Sequence, residues 1–66
     1  MWTVVYIAPN RAIAESMKEL LEKEGHLVML RPVGVPHLGA SGNVEILVPE
    51  SEAEDAQDIL TSTYGR

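Results

Sequence analysis

Residues 43–49, Asn-Val-Glu-Ile-Leu-Val-Pro, decide the fold of this chain. Branched Val, Ile and Val alternate with Asn, Glu and Leu, which is the period of a strand with one buried face. We therefore predict a strand over residues 43–48. It ends at Pro49 because proline cannot donate to a sheet ladder. Ser51 and Glu54 have the spacing of a capping box, which predicts that a helix begins there.

Three further elements precede this strand. Residues 2–8 are aromatic and β-branched and predict a strand, and residues 27–31 predict a second one that is ended by a proline. Residues 11–24 carry apolar side chains at helical spacing. Asn10 is suited to cap the start of that helix, and Gly25 to supply a left-handed residue at its end.

The resulting order, β-α-β-β-α, predicts an α+β fold. A parallel pair of strands joined by a helix crosses over right-handed, and in the split arrangement the next strand inserts between them, antiparallel to both. The predicted fold is a ferredoxin-like sheet of order 1-3-2 that lacks the fourth strand, with both helices on one face. Residues 1–66 are expected to form a single small domain.

Alternation assigns the face of the sheet that the helices cover. Val44, Ile46 and Val48 are expected to face the helices, together with Val28 and Leu30. For the first strand two sets remain open: Val5 and Ile7, or Trp2, Val4 and Tyr6.

Composition narrows the classes of function. Ten acidic and five basic residues give a net charge of -5, which repels phosphate and argues against a nucleic-acid partner. There are no cysteines, which excludes disulfides and fits a cytoplasmic setting. No apolar run approaches the roughly 20 residues of a membrane helix, and the N-terminus has no basic leader ahead of its apolar run. We expect no membrane partner.

The sequence contains no recognisable catalytic set. His37 and Ser41 lie four residues apart in the Gly-rich loop 32–42, without an orienting acid. The acidic residues within 50–58 lack the spacing of a calcium loop. His26 is interpreted as a surface residue of the turn after the first helix. We therefore expect no enzyme, no metal and no cofactor.

One set of residues has the chemistry of an anion site. The helix start at Asn10 and Arg11 offers free backbone N–H groups beside a cation. The loop 32–42 begins next to Arg31 and contains His37. These four side chains are the candidate ligand-binding residues. A solvated helix start beside an ordinary loop would account for the same residues.

The chain as a whole resembles a known family. Ala-Pro-Asn at 8–10, the helix segment at 14–25 that closes with Glu-Gly, and Val-Glu-Ile-Leu-Val-Pro-Glu at 44–50 before an acidic helix carry the resemblance. Together they resemble the putative prokaryotic signal-transducing protein family, small bacterial domains of unknown function that are often compared with PII nitrogen regulators. The resemblance implies a PII-like or ferredoxin-like half-fold and a regulatory role, without catalytic residues.

Two hypotheses for function follow. The first is a cytoplasmic, non-enzymatic regulatory or interaction domain for signal transduction, acting on a protein partner through a surface and the loop 32–42. The alternative is a sensor domain that binds an anionic metabolite near Asn10, Arg11 and the loop.

Self-association is also expected. Two helices cannot cover both faces of the sheet, and an apolar face left bare would exceed the patch that a monomer usually exposes. A homo-oligomer is predicted, most simply a dimer, with a trimer as in PII proteins or pairing of the sheet edges as alternatives. The candidate interface residues are Trp2, Leu27, Met29 and Leu47. Glu45 lies on the same face and needs a partner or a place at the rim.

Overall fold

The computed structural model describes residues 1–33 and 42–64. The elements in chain order are β1 (Trp2–Ala8), α1 (Arg11–Lys23), β2 (Met29–Pro32), β3 (Val44–Pro49), a short 3₁₀ helix (Glu50–Glu52) and α2 (Ala53–Tyr64). The strands form one sheet of order β1-β3-β2, in which β3 is antiparallel to both neighbours. This confirms the predicted α+β, ferredoxin-like arrangement with three strands and both helices on one face.

The core lies between β3 and the two helices. Its largest fully buried side chains are Met17, Leu21, Ile46 and Val48. The two helices also contribute Ala14, Ala56 and Leu60, and Val28 and Leu30 pack at the edge of the core. The predicted inward face of β3 is therefore confirmed. Thr63, which shares the periodicity of the buried residues of α2, is exposed near the end of that helix.

A β-bulge in β1 overturns both alternatives for its inward face. Val4 lies opposite Leu47 and Tyr6 lies opposite Ile46, so Val5 is an extra residue between them. A bulge of this kind changes which side chains point to each face. Val5 and Ala8 are buried in the core, whereas Ile7 lies opposite Glu45 on the other face and is 53% exposed.

The end of α1 is closed as the sequence predicts. Gly25 has a φ of 92°, and its N–H donates to the Glu22 carbonyl at 3.0 Å. The N–H of His26 donates to the Leu21 carbonyl at 3.0 Å. These two bonds form a Schellman motif, which needs a left-handed residue and therefore favours glycine.

The start of α2 differs from the prediction. The chain enters this helix through the 3₁₀ helix Glu50–Glu52, and Pro49, in the capping position, makes no side-chain bond. Ser51 lies inside that turn, so the predicted capping box is wrong. Strand β2 also differs: it begins at Met29, because the N–H of Leu27 donates to the Glu52 carboxylate at 3.2 Å and not to a sheet partner.

The cap at Asn10 gives a first testable prediction. Asn10 Oδ1 accepts from the Ile13 N–H at 2.9 Å. We expect Asn10→Ala to lower the free energy of unfolding by about 1 kcal/mol, because the partly buried Ile13 N–H loses its acceptor. Ser51→Ala is the control and should change it by less than about 0.5 kcal/mol. Urea denaturation followed by circular dichroism measures both. Equal losses in the two variants would restore Ser51 as a cap.

Candidate functional surface: the open face of the sheet

No helix or strand of residues 1–33 and 42–64 covers the face of the sheet opposite the helices. Besides Pro49 at the end of β3, strand register places seven side chains on it: Trp2, Val4, Ile7, Met29, Arg31, Glu45 and Leu47. Four of the five apolar members are exposed, led by Ile7 and by Trp2, which is 44% exposed. We call these seven residues the open face.

The centre of the open face is already packed. Leu47 is only 3% exposed although it lies outside the helix-side core cluster. Its register partners Val4 and Met29 flank it on the two sides. Leu47, a predicted interface residue, is therefore on the expected face but offers little surface. Trp2 and Met29 remain accessible there, and Leu27, just before β2, is exposed as well.

An ion pair lies on the same face. Arg31 Nε donates to Glu45 Oε1 at 2.7 Å, and Arg31 Nη2 lies 2.6 Å from the same oxygen, within ion-pair distance. The Glu45 side chain is 18% exposed, whereas Arg31 is largely in solvent. The arginine thus neutralises a carboxylate on the central strand that would otherwise face apolar neighbours without a partner. The open face has both signs of charge and is neutral overall.

The remaining acidic charge lies elsewhere. In the part of the chain that the structure describes, Glu45 is the single acidic side chain of the open face. The other nine acidic residues belong to the two helices, the turn after α1 and the 3₁₀ helix. The molecule therefore has an apolar, neutral side and a strongly acidic side.

Of the four residues of the predicted anion site, the structure describes three, and it places Arg31 apart from Asn10 and Arg11. Asn10 uses its side-chain oxygen to cap α1, and Arg11 Nη1 lies 3.3 Å from Glu15 Oε2. Both are on the helix side, whereas Arg31 lies on the open face. His37 and Ser41 lie outside the described residues.

Arg11 lines an open groove of about 250 Å³ between α1 and β2. The other lining residues are Glu15, Lys18, Glu19 and Leu30. Lys18 Nζ lies 3.5 Å from Glu22 Oε2. Each cation of the groove therefore has a carboxylate beside it, which leaves little net positive charge for an anion.

His26 is not a surface residue, which corrects the prediction from sequence. Its side chain is 9% exposed and lies between two carboxylates of the α2 entry. Nδ1 donates to Glu52 Oε1 at 2.9 Å. Nε2 is 3.4 Å from Asp55 Oδ2, within ion-pair distance, but it makes no aligned hydrogen bond with the described residues. The sequence feature that points to this contact is the group of acidic residues at the helix start after β3, since these residues can pair with a histidine.

Glu52 joins two distant turns of the chain. Its Oε1 accepts from both the His26 ring and the Leu27 N–H, so it ties the α1–β2 connection to the start of α2. We expect Glu52→Ala to lower the free energy of unfolding by about 1–3 kcal/mol, because the partly buried His26 ring loses its acceptor, and the exposed Leu27 N–H loses its acceptor as well. Glu52→Gln keeps an oxygen acceptor and should recover part of the loss.

Glu54→Ala is the matched control, since it removes an exposed acid from the same helix start. It should change the midpoint of urea denaturation little. If Glu52→Ala is as mild as Glu54→Ala, then the two bonds to Glu52 contribute nothing to stability.

Residues 1–33 and 42–64 contain no group of three or more His, Asp or Glu side chains that could hold a metal ion. No helix within those residues is both long and apolar enough to span a membrane.

Comparison with known families assigns the chain. Residues 2–63 match the model of a family described as putative prokaryotic signal transducing protein. The chain belongs to this family. The match covers every strand and nearly all of both helices, so the open face is part of the region that the family model describes. Searches of curated proteins and of solved structures gave no significant match.

Proposed function

We propose that the protein is a cytoplasmic, non-enzymatic regulatory domain that transmits a signal through protein–protein contact at the open face. The observation that carries the proposal is the accessible apolar surface formed by Trp2, Val4, Ile7 and Met29, with the Arg31–Glu45 pair in the same row as Ile7 at one end. The description of the family as signal transducing supports the same class of function.

The composition of the open face is typical of an interface. Aromatic residues, Met and Arg are enriched at interface centres, whereas Lys, Glu and Asp are depleted there. Trp2, Met29 and Arg31 supply the enriched types, and the single Glu45 is already paired. A contiguous apolar patch with a polar element at its rim marks a site of contact with another protein.

The alternative is a sensor for an anionic metabolite at the Arg11 groove. It is less well supported, because Arg11 and Lys18 each lie beside a glutamate. A screen of anionic metabolites by thermal shift tests it directly. The sensor hypothesis requires a ligand that raises the melting temperature of the wild type and not of Arg11→Ala.

Affinity purification with three baits tests the proposed function. The wild type, Ile7→Lys on the open face and Ser62→Lys on the exposed surface of α2 are compared. The two variants add the same charge at different surfaces. We expect the wild type and Ser62→Lys to retain a bound protein that Ile7→Lys does not retain. That protein, once purified, should bind again to the purified wild type. A protein retained equally by all three baits would place the contact elsewhere and overturn the proposal.

A further inference from the structure

We propose that the occupant of the open face is a second copy of this chain, in a two-fold dimer with the two sheets back to back. The inference rests on the proposed function, since it uses the same face, and it names the partner. Two sheets packed in this way lie about 10 Å apart, with their apolar side chains between them.

The charges of the open face complement a second copy of themselves. A two-fold interface brings each residue of one face against the equivalent patch of the other. The face contains one cation, Arg31, at the β2 edge and one anion, Glu45, on the central strand. Each Arg31 can therefore approach the partner's Glu45 without leaving any charge uncompensated. Both intrachain contacts of Arg31 are with Oε1, and within residues 1–33 and 42–64 Oε2 accepts no hydrogen bond.

The distribution of acidic residues favours the same arrangement. Two chains with a net charge of -5 each repel one another. Back-to-back packing places the two acidic helix layers on opposite outer surfaces. These layers are then separated by more than the Debye length of about 8 Å at physiological ionic strength, so their repulsion is largely screened. Other orientations would bring the acidic helices closer together.

The edges of the sheet are less suited to self-association. The bulge between Val4 and Tyr6 interrupts the regular register of β1, and bulges discourage edge-to-edge pairing. Strand β2 has four residues, and Pro32 at its end has no N–H to donate. The open face is therefore the surface on which a second copy gains most.

The size of the face predicts a weak dimer. Three strands of seven, four and six residues cover an area of at most roughly 15 by 20 Å. Even with the exposed flanking side chains Met1 and Leu27, this is smaller than the roughly 800 Å² per partner of a standard interface. We expect a reversible dimer that forms in the micromolar range or above.

Sedimentation velocity on the intact chain tests the inference. The concentrations run from about 1 µM to about 1 mM, a range that includes the dissociation constants expected of a small interface. The wild type and Ser62→Lys should rise from the 7.2 kDa monomer toward twice that mass. Ile7→Lys should raise the dissociation constant at least about tenfold, because it replaces the most exposed apolar side chain of the open face with a charged one. The variant should fold, since the new lysine lies opposite Glu45. Circular dichroism checks this.

A wild type that stays monomeric throughout overturns the inference, and so does a dimer that Ile7→Lys leaves intact. The bait experiment then decides the proposed function separately. If a different protein is bound by the other two baits and not by Ile7→Lys, the proposed interaction function stands and the proposed self-association is wrong. A dimer sensitive to Ile7→Lys supports both. If Ile7→Lys fails to fold, Arg31→Glu takes its place as the test variant, because Arg31 is an exposed edge residue. Arg31→Glu should also weaken the dimer.

Discussion

Ile46→Ala is expected to remove most of the stability of the protein. Ile46 is fully buried at the centre of β3, with Tyr6 and Leu30 as its register partners on the two sides. Replacing a buried isoleucine by alanine lowers the free energy of unfolding by about 2–5 kcal/mol. A domain of 66 residues has roughly 3–10 kcal/mol in total. The variant should be partly unfolded at 37 °C.

Ile7→Ala is the matched control for this experiment, because it makes the same chemical change on the open face. Ile7 is more than half exposed, so its loss should lower the free energy of unfolding by less than about 1 kcal/mol. Urea denaturation at the lowest measurable protein concentration compares the two monomers. Similar losses for Ile46→Ala and Ile7→Ala would mean that the helix side of β3 is not the core.

The second large effect is expected from mixing two charge-reversed chains. Arg31→Glu gives an open face with two carboxylates, and Glu45→Arg gives one with two guanidinium groups. Each variant alone should be monomeric, because a second identical face repels it. An equimolar mixture should form a heterodimer, since every charge then meets one of opposite sign across the interface.

This mixture separates contacts between chains from contacts within one chain. If Arg31 and Glu45 stabilise only their own chain, mixing changes nothing and both variants stay monomeric at concentrations at which the wild type is dimeric. The double variant Arg31→Glu, Glu45→Arg is the control. It restores the pair within each chain and should self-associate as the wild type does. Sedimentation equilibrium on the variants and the mixture provides the comparison.

Much of the fold was predictable because local signals agree with one another. The strand at 43–48, the N-cap at Asn10 and the left-handed Gly25 each have a local physical cause that is visible in the sequence. The bulge in β1 was not predictable, because no glycine marks Val5 and its position depends on packing against α2 and β3. The late start of β2 depends on Glu52, which lies 25 residues further along the chain.

The candidate surface was predictable in part. Two helices on one face imply an open face, and alternation placed Trp2, Met29 and Leu47 there. Ile7 was not among the candidate interface residues, because regular alternation places it on the opposite face from Trp2, and only the bulge brings both to the open face. The burial of Leu47 by its neighbours depends on their side-chain positions, which periodicity does not give. For the same reason Leu47→Glu would test folding rather than association, since it would bury a charge inside the monomer.

Trp2 provides the most direct test of the open face as a contact surface. It is the single tryptophan of the chain, it lies on that face, and it is nearly half exposed. Its fluorescence emission is measured across the same dilution series as the sedimentation experiment. We predict that the emission maximum shifts to shorter wavelength as concentration rises, because the indole leaves water when the faces meet. The midpoint of this shift should fall at the same concentration as the midpoint of the increase in mass. An emission spectrum that stays constant while the mass doubles would show that the chains meet through another surface.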